Sequence, residues 1–331
     1  MRGSSFGKLL TISTFGESHG EALGVVIDGM PAGIDISFED LNIELDRRRP
    51  GRLKVSTSRN ENDSPTILSG IFENKTLGTP IAVIVKNSNQ KSSDYDQLKS
   101  EYRAGHADKT TELKYGHRDH RGGGRASGRE TLSRVIGGYF ASLILPNVIF
   151  SSGISKLGPI NCNKKNFNST SSLGLLDESF DTKVEELLLS YKEKGESCGG
   201  EVLVKIQNPP KGLGEPVFDK LKADLGKSLL SIGSCMGVSF GRGQDFAHLL
   251  GSDISKDSKN FGGIEGGISN GGDIFIQLVF KAPSTVGDKA KEGRHDPCIL
   301  PRVLPVIESM CKLTIADHFL RQNAYQIKKP D

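Results

Sequence analysis

Two histidines stand in short glycine-containing segments that suit proton transfer. His19 lies within residues 16–20 (GESHG), and His106 lies within residues 105–108 (GHAD). An unperturbed imidazole titrates near pH ~6.5, so a histidine can give or take a proton at neutral pH. A single histidine is more often a structural residue, and chemistry alone leaves both interpretations open. The flanking glycines predict loops, which favours the catalytic interpretation.

A glycine triplet between two arginines is the strongest candidate for an anion site. Residues 121–125 (RGGGR) lead into Ser127, which is spaced from Glu130 as in a capping box at the start of a helix. Consecutive glycines can turn several N–H groups toward one point, and a helix N-terminus adds its positive dipole end. The arginines around the triplet, which supply bidentate donors for phosphate or carboxylate, are Arg118, Arg121, Arg125 and Arg129. They favour an anion site over a flexible turn before a capped helix.

Positive charge is concentrated in two stretches of a chain whose net charge is only +3. Residues 47–59 carry a net charge of +6, and residues 103–134 carry +4. Such a concentration of charge indicates an anionic ligand or, as the simpler alternative, a charged surface exposed to solvent. Nucleic acid is one such anion, but the chain has no Trp and only six Tyr, and neither stretch interleaves several aromatic residues for base stacking. We therefore expect a small anionic ligand and no nucleic-acid partner.

Three other motifs lack the context that their chemistry requires. Residues 16–20 match the G-x-S-x-G elbow of serine hydrolases, but a helix must follow the elbow and residues 23–27 (LGVVI) predict a strand. His117 and His120 have no third ligand nearby, so we predict no metal site. No G-x-G-x-x-G segment follows a predicted strand, so a Rossmann dinucleotide site is not indicated.

Composition is that of a globular protein, with 35% apolar and 25% charged residues. The first ten residues lack the apolar run of a secretory signal, and no segment approaches the ~18 apolar residues of a spanning helix. Five scattered cysteines form no C-x-x-C pair, which suits free thiols in a reducing compartment. We expect a soluble cytoplasmic protein that has no contact with a membrane.

Helical and strand-like patterns alternate along the chain without a linker or repeat. Strand-like, β-branched runs occupy residues 25–27, 81–85, 202–206 and 274–280. Helices are predicted from Ser37 to just before Pro50, from Ser127 to Pro146, over residues 216–231 and over residues 303–320. Residues 262–272 hold six glycines, which suits a slack loop or a backbone that a planar ligand approaches closely. We predict an α+β fold and a single domain over residues 1–331.

Several of these segments, taken in order, resemble the signatures of the chorismate synthase family. They are residues 16–20 (GESHG) with 27–31 (IDGMP), 46–51 (DRRRPG), 105–108 (GHAD), 114–116 (KYG), 121–129 (RGGGRASGR), 212–219 (GLGEPVFD) and 293–298 (GRHDPC). The resemblance covers nearly the whole chain. It implies a compact sandwich of β-sheets packed around helices, and a homotetramer.

The resemblance also implies an activity. The family's enzymes are phosphate-lyases that convert 5-enolpyruvylshikimate 3-phosphate to chorismate by a 1,4-anti elimination, the last common step of the shikimate pathway to aromatic amino acids. Reduced FMN is required but not consumed overall. NADPH is a candidate reductant of the flavin, and a separate flavin reductase is the alternative. The substrate's phosphate and two carboxylates account for the concentrated positive charge.

Residue roles follow from the same resemblance. His19 would assist the departing phosphate, His106 would hold the flavin in its reactive protonation state, and which histidine serves which partner stays open. Asp296 would relay the ring proton beside the flavin, with Ser18 and Ser127 nearby. Implied FMN contacts are Arg125, Ala126, Ser127, Gly233, Ser234, Gly266, Lys281, Ala282, Pro283, Ser284, Thr285 and Arg294. Implied substrate or NADP contacts are Arg48, Lys54, Arg129 and Arg134.

Three departures from the family pattern bear on the cofactor. Ala104 stands where a proline is usual, and Ala126 stands where a serine is usual. The stretch from Thr285 to Arg294 is shorter than in most relatives, where a longer excursion helps to cover the flavin. We expect these changes to weaken FMN binding more than the reaction.

Overall fold

Two antiparallel sheets, each of five strands, carry most of the β structure of this computed structural model, which describes residues 3–51, 55, 63–87, 102–291 and 296–325. The strands are β1 Ser5–Phe6, β2 Thr11–Phe15, β3 Ala22–Asp28, β4 Pro65–Ile67, β5 Ile71–Phe72, β6 Lys75–Thr76, β7 Ile81–Lys86, β8 Ile149–Leu157, β9 Ile160–Asn161, β10 Gly200–Gln207, β11 Cys235–Phe240, β12 Ile264–Glu265, β13 Ile268–Ser269 and β14 Ile274–Phe280. The first sheet has the order β1-β2-β3-β7-β4, and the second has the order β11-β14-β10-β8-β9. Two hairpins, β5-β6 and β12-β13, stand apart from them.

The helices are α1 Phe38–Arg48, α2 Asp108–Tyr115, α3 Thr131–Leu143, α4 Asp181–Lys194, α5 Leu221–Leu230, α6 Gly251–Ile254, α7 Asp288–Lys291 and α8 Leu300–Asn323. Helix α3 packs on β2 and β3 of the first sheet, and α8 packs on β8 and β10 of the second. The two helices also pack on each other, with α1 and α5 beside them. The layers therefore run sheet, helix, helix, sheet, which confirms the predicted α+β sandwich.

Burial follows from this layering. Strand β14 alternates buried and exposed residues along its whole length, because only one face of its sheet meets the helices. Helix α8 is buried continuously from Val303 to His318, because layers enclose it on all sides. Although α8 has 24 residues, no helix in the described part of the chain is both long enough and apolar enough to cross a membrane.

Most predicted elements are present, and the errors lie at their ends. The Ser37 side chain caps α1 by accepting from the Asp40 N–H, as predicted. Helix α5 begins at Leu221, so the predicted start at residue 216 is wrong; the preceding residues instead form a turn closed by the Glu215 N–H and the Asp219 carbonyl. Helix α8 extends beyond the prediction at both ends.

The predicted start of α3 at Ser127 is also displaced. Ser127 caps a short 3₁₀ turn, Gly128–Glu130, by accepting from the Arg129 N–H, and α3 follows it. Glu130 does not close the predicted capping box. Its carboxylate instead accepts from the Thr14 hydroxyl at 2.9 Å and from Arg134, one turn further along α3, at 2.9 Å.

The glycine-rich stretch 262–272 is not a slack loop. It contains the hairpin of β12 and β13, in which Ile264 pairs with Ser269 and Glu265 with Ile268. The two-residue connection consists of glycines with positive φ, the conformation in which a side chain would be strained.

Candidate active site

His19 lies in the turn that joins β2 to β3, and a second loop packs directly against it. Ser18 and His19 are buried, and the Ser18 hydroxyl lies 3.1 Å from His19 Nδ1. Gly122 of the glycine triplet, with φ +82°, meets the imidazole face: a Cβ there would be 2.5 Å from His19 Cε1. Only glycine therefore fits at this point, both for its backbone and for the space.

Arg125 ties the same two loops together. Its guanidinium donates to the Gly16 carbonyl at 3.0 Å and to the Thr14 carbonyl at 3.1 Å. Both acceptors belong to the end of β2 and the turn after it. Arg125 therefore fastens the triplet loop to the segment before His19, and these donors bind the backbone and the Thr14 hydroxyl of the chain itself.

His106 lies in a polar network at the start of α2. Its Nδ1 is 2.8 Å from Asp108 Oδ1 and 3.1 Å from Arg103 Nη2. Arg103 also donates to the Gly122 carbonyl at 3.1 Å, which joins His106 to the loop that packs on His19. Burial and the positive charge of Arg103 lower the pKa of His106, against the opposing effect of Asp108, and this lowered pKa favours the neutral ring.

The arginines beside the triplet have acidic partners that the sequence pattern did not reveal. Arg118 Nε donates to Glu112 at 2.8 Å, and Arg121 makes a bidentate pair with Asp119, both contacts at 2.9 Å. The local excess of positive charge is therefore smaller than the count of arginines indicates.

Arg48 and Arg129, both predicted to bind substrate or NADP, are joined by one buried carboxylate. Asp63 accepts from Arg48 Nη2 at 2.7 Å and from Arg129 Nη1, and all three side chains are at most 4% exposed. Burial lowers the pKa of Arg48 to about 10, against the opposing effect of Asp63. Burial would raise the pKa of Asp63, but the two arginines outweigh it and hold that pKa below its ordinary value.

Asp296 connects to this buried group through one arginine. Arg302, in the first turn of α8, pairs with the Asp296 carboxylate and donates through Nε to the Arg48 carbonyl at 3.3 Å. Asp296 and Thr285 line the same small cavity. The predicted proton-relay residue thus lies between the buried arginines and the turn that was predicted to bind FMN.

The turn 281–285 lies against the segment of His106. Ser284 donates to the Gly105 carbonyl at 2.8 Å and receives a bond from Lys281 Nζ at 2.7 Å. The Lys281 N–H donates to the Ser234 carbonyl at 2.9 Å, which brings the predicted pair Gly233–Ser234 to the same place. The described residues 281–285 (KAPST), which include Ala282 and Pro283, therefore border the His106 network.

Arg134 holds the segment before Gly233. Its Nε donates to Glu130 at 2.9 Å, its Nη1 to the Ser231 hydroxyl at 2.7 Å and its Nη2 to the Ser231 carbonyl at 3.2 Å. It was predicted to bind substrate or NADP. In this structure its guanidinium instead fastens α3 to the end of α5.

Gly266 lies at the opposite end of α5 from Gly233 and Ser234. Its carbonyl accepts from Lys220, at the N-terminal end of α5, whereas Gly233 and Ser234 follow the C-terminal end. A helix of 10 residues separates the two ends by about 15 Å. Lys54 and Arg294 lie outside the described residues.

Residues that the sequence did not single out complete the site. Arg103 links the two histidine segments, Asp63 joins Arg48 to Arg129, and Arg302 holds Asp296. Asp296 is only six positions from Arg302, but Asp63 and Arg129 are 66 positions apart and Arg302 and Arg48 are 254 apart. Only the fold reveals these longer links. Among the described residues no group of three or more His, Cys, Asp and Glu side chains could hold a metal ion.

Comparisons with known proteins agree with this arrangement. The family model for chorismate synthase matches residues 10–320. The chorismate synthase of Christiangramia forsetii is 44% identical over 354 aligned positions, covering 99% of this chain and 100% of that protein. The Bdellovibrio bacteriovorus chorismate synthase is 45% identical, covering 97% of this chain and 98% of that protein. A crystal structure of chorismate synthase superposes with a TM-score of 0.75 at 28% identity, over 96% of this chain and 93% of that one. A family match over nearly the whole length, on the same fold, shows that this chain belongs to the chorismate synthase family.

Proposed function

We propose that the cluster around His19, His106 and Asp296 is the active site of a phosphate-lyase that converts 5-enolpyruvylshikimate 3-phosphate to chorismate and phosphate. The observation that carries the proposal is the joining of both histidine segments at one glycine. Gly122 packs on the His19 ring, and its carbonyl binds Arg103, the partner of His106. Two groups able to exchange protons are thereby held at a fixed separation beside one loop.

The residues around the cluster suit a flavin. Segments 122–127, 233–234 and 281–285 converge through the contacts of Arg103, Ser284 and Ser234. Gly124 and Gly233 face open space, since a Cβ at either position would have no atom within 4 Å, so a planar group could approach the backbone closely. Arg125, Ala126 and Ser127 would hold FMN on one side and residues 281–285 on the other. When bound in reduced form, FMN would supply the electron-rich group that the reaction requires, and it would not be oxidised overall.

The chain's own residues divide the work of the elimination. In that reaction the C–O bond to phosphate breaks, the phosphate leaves with the electron pair, and the ring loses a proton. Ser18 orients His19 at Nδ1, so that the imidazole can donate a hydrogen bond or a proton to the departing phosphate. Asp296, held by Arg302, receives the ring proton. Arg48 and Arg129 attract the anionic groups of the substrate.

The same proposal extends to reductant, assembly and location. NADPH would reduce the flavin at this site, or a separate flavin reductase would deliver it reduced. The chain would assemble as a homotetramer and work in the cytoplasm. The contacts described for Gly266 and Arg134 are with the protein itself, so their predicted binding roles stay predictions.

An anaerobic assay tests the activity. With chemically reduced FMN, the protein should convert 5-enolpyruvylshikimate 3-phosphate to chorismate and free phosphate in equal amounts. With oxidised FMN and no reductant it should be inactive, because the flavin must be reduced. Addition of NADPH to the oxidised sample distinguishes an enzyme that reduces its own flavin from one that needs a reductase. Full turnover without any flavin would contradict the proposal.

A further inference from the structure

The carboxylate of Asp108 is buried and receives four hydrogen bonds. Its side chain is 4% exposed. Arg103 donates to it three times, from the backbone N–H at 3.1 Å, from Nε at 2.8 Å and from Nη2 at 2.7 Å. The fourth contact, at 2.8 Å, is with Nδ1 of His106. A buried carboxylate with this many donors is held in one orientation and stays ionised.

The partners of His106 Nδ1 decide which ring nitrogen carries the proton. A guanidinium Nη2 carries two hydrogens. One is directed at Asp108 Oδ1 at 2.7 Å and the other at the Gly122 carbonyl at 3.1 Å. His106 Nδ1 also lies 3.1 Å from Nη2, so one of these hydrogens can be shared with it. The ionised carboxylate of Asp108, however, can only accept, and its Oδ1 is the nearer partner of Nδ1, at 2.8 Å. The short contact between Nδ1 and Asp108 therefore requires that Nδ1 carry its own hydrogen and donate it to the carboxylate.

We propose that Asp108 is a positioning residue that holds His106 in the Nδ1–H tautomer, so that Nε2 is the ring atom that exchanges a proton in the reaction. The proposal rests on the proposed function for the identity of that reaction, but the tautomer itself does not. Arg103 supports this arrangement in two ways. It orients Asp108 through hydrogen bonds, and it binds the loop that packs on His19.

The charges that face His106 predict the effect of removing the carboxylate. They are Arg103 and Lys281, which disfavour the imidazolium, and Asp108, which favours it. Replacing Asp108 by Asn removes the only one of the three that raises the pKa of His106. In the Asp108→Asn variant, the limb of the pH–rate profile that arises from titration of His106 must therefore move to lower pH. This direction holds whether the reaction uses the neutral ring or the imidazolium.

The test uses full-length protein with ¹⁵N-labelled histidine, in wild-type, Asp108→Asn and Asp108→Glu forms. Nitrogen chemical shifts of His106 should show a protonated Nδ1 in the wild type and a mixture of tautomers in Asp108→Asn. In the anaerobic assay, Asp108→Asn should lower kcat by about 10²-fold, the lower end of the loss of acid–base catalysis, with KM little changed. Asp108→Glu, which keeps the carboxylate, should restore the tautomer and part of kcat.

Asp177→Asn is the matched control, since Asp177 is a buried carboxylate that caps a 3₁₀ turn far from the site. It should leave the His106 shifts and the pH limb unchanged. A wild-type His106 protonated on Nε2, or an Asp108→Asn variant with native tautomer and native pH profile, would overturn the proposal. Because the tautomer is read without turnover, an inactive protein would contradict the proposed function and leave this inference testable.

Discussion

At the scale of single residues, the site depends on how closely Gly122 approaches His19. The glycine combines a positive φ of +82° with a contact that leaves no room for a side chain. Its carbonyl at the same time binds Arg103. A change at this one position therefore acts on both histidine segments.

Gly122→Ala should lower turnover by more than 10²-fold, about the effect of losing an acid–base group, because its methyl would displace the His19 ring. Gly33→Ala is the matched control: it has a similar positive φ, +79°, but a Cβ there meets nothing within 4 Å. Both variants should lose similar stability from backbone strain, of about 1 kcal/mol. Steady-state kinetics and thermal unfolding of the two variants separate these effects. Equal loss of turnover in both would show that lost stability, and not displacement of His19, is responsible.

The sequence predicted these residues better than their partners. Residue type and glycine context were enough to single out His19, His106 and the triplet. Asp63, however, lies in no motif, and its pairing with Arg48 and Arg129 depends on contacts across 15 and 66 positions. Such pairs form only when the fold brings the elements together, so charge counted along the sequence overestimates the free positive charge of the site.

At the scale of elements, the close approach of α3 and α8 joins the two sheets. Gly138 of α3 lies against Ser309 of α8, where a Cβ would be 2.6 Å from the Ser309 Cα. Periodic apolar residues predicted the body of α3, although the helix begins and ends inside the predicted range. The same method missed the ends of α8, because a helix buried on all sides has no polar face to mark its limits.

Gly138→Ala should destabilise the protein by about 1–3 kcal/mol, the usual effect of overpacking a core, because the backbone of α8 must move. Gly226→Ala provides the comparison within α5. It lies in a helix where a Cβ meets nothing within 4 Å, so the alanine should stabilise by about 1 kcal/mol through helix propensity. Free energies of unfolding from denaturant titration measure both. A neutral Gly138→Ala would mean that the two helices can separate without loss, contrary to the layered packing described above.

At the scale of the whole molecule, the sequence predicted the fold class. It did not predict how far the chain encloses a bound flavin. Alternating patterns and the ordered motifs predicted an α+β sandwich, since each element has to bury one face. We expect this enclosure to depend on one short connection, residues 285–294. Within this connection, the Gly287 N–H donates to the carbonyl of Gly195, at the end of α4, at 2.8 Å. The four-residue helix α7 follows it directly.

The shortened stretch 285–294 predicts that substrate controls how tightly FMN is held. With less cover, FMN alone should bind weakly, gripped mainly through the backbone of the glycine triplet and the turn 281–285. Substrate in the same site would exclude water from the exposed flavin face and raise FMN affinity about 5–150-fold, the usual range of coupling between ligands. Titrations with oxidised FMN, which does not support turnover, measure this by flavin fluorescence with and without 5-enolpyruvylshikimate 3-phosphate. Because coupling is reciprocal, FMN must raise substrate affinity by the same factor, which is the internal control. FMN binding that is tight alone and unchanged by substrate would show that the remaining residues enclose the flavin without the missing cover.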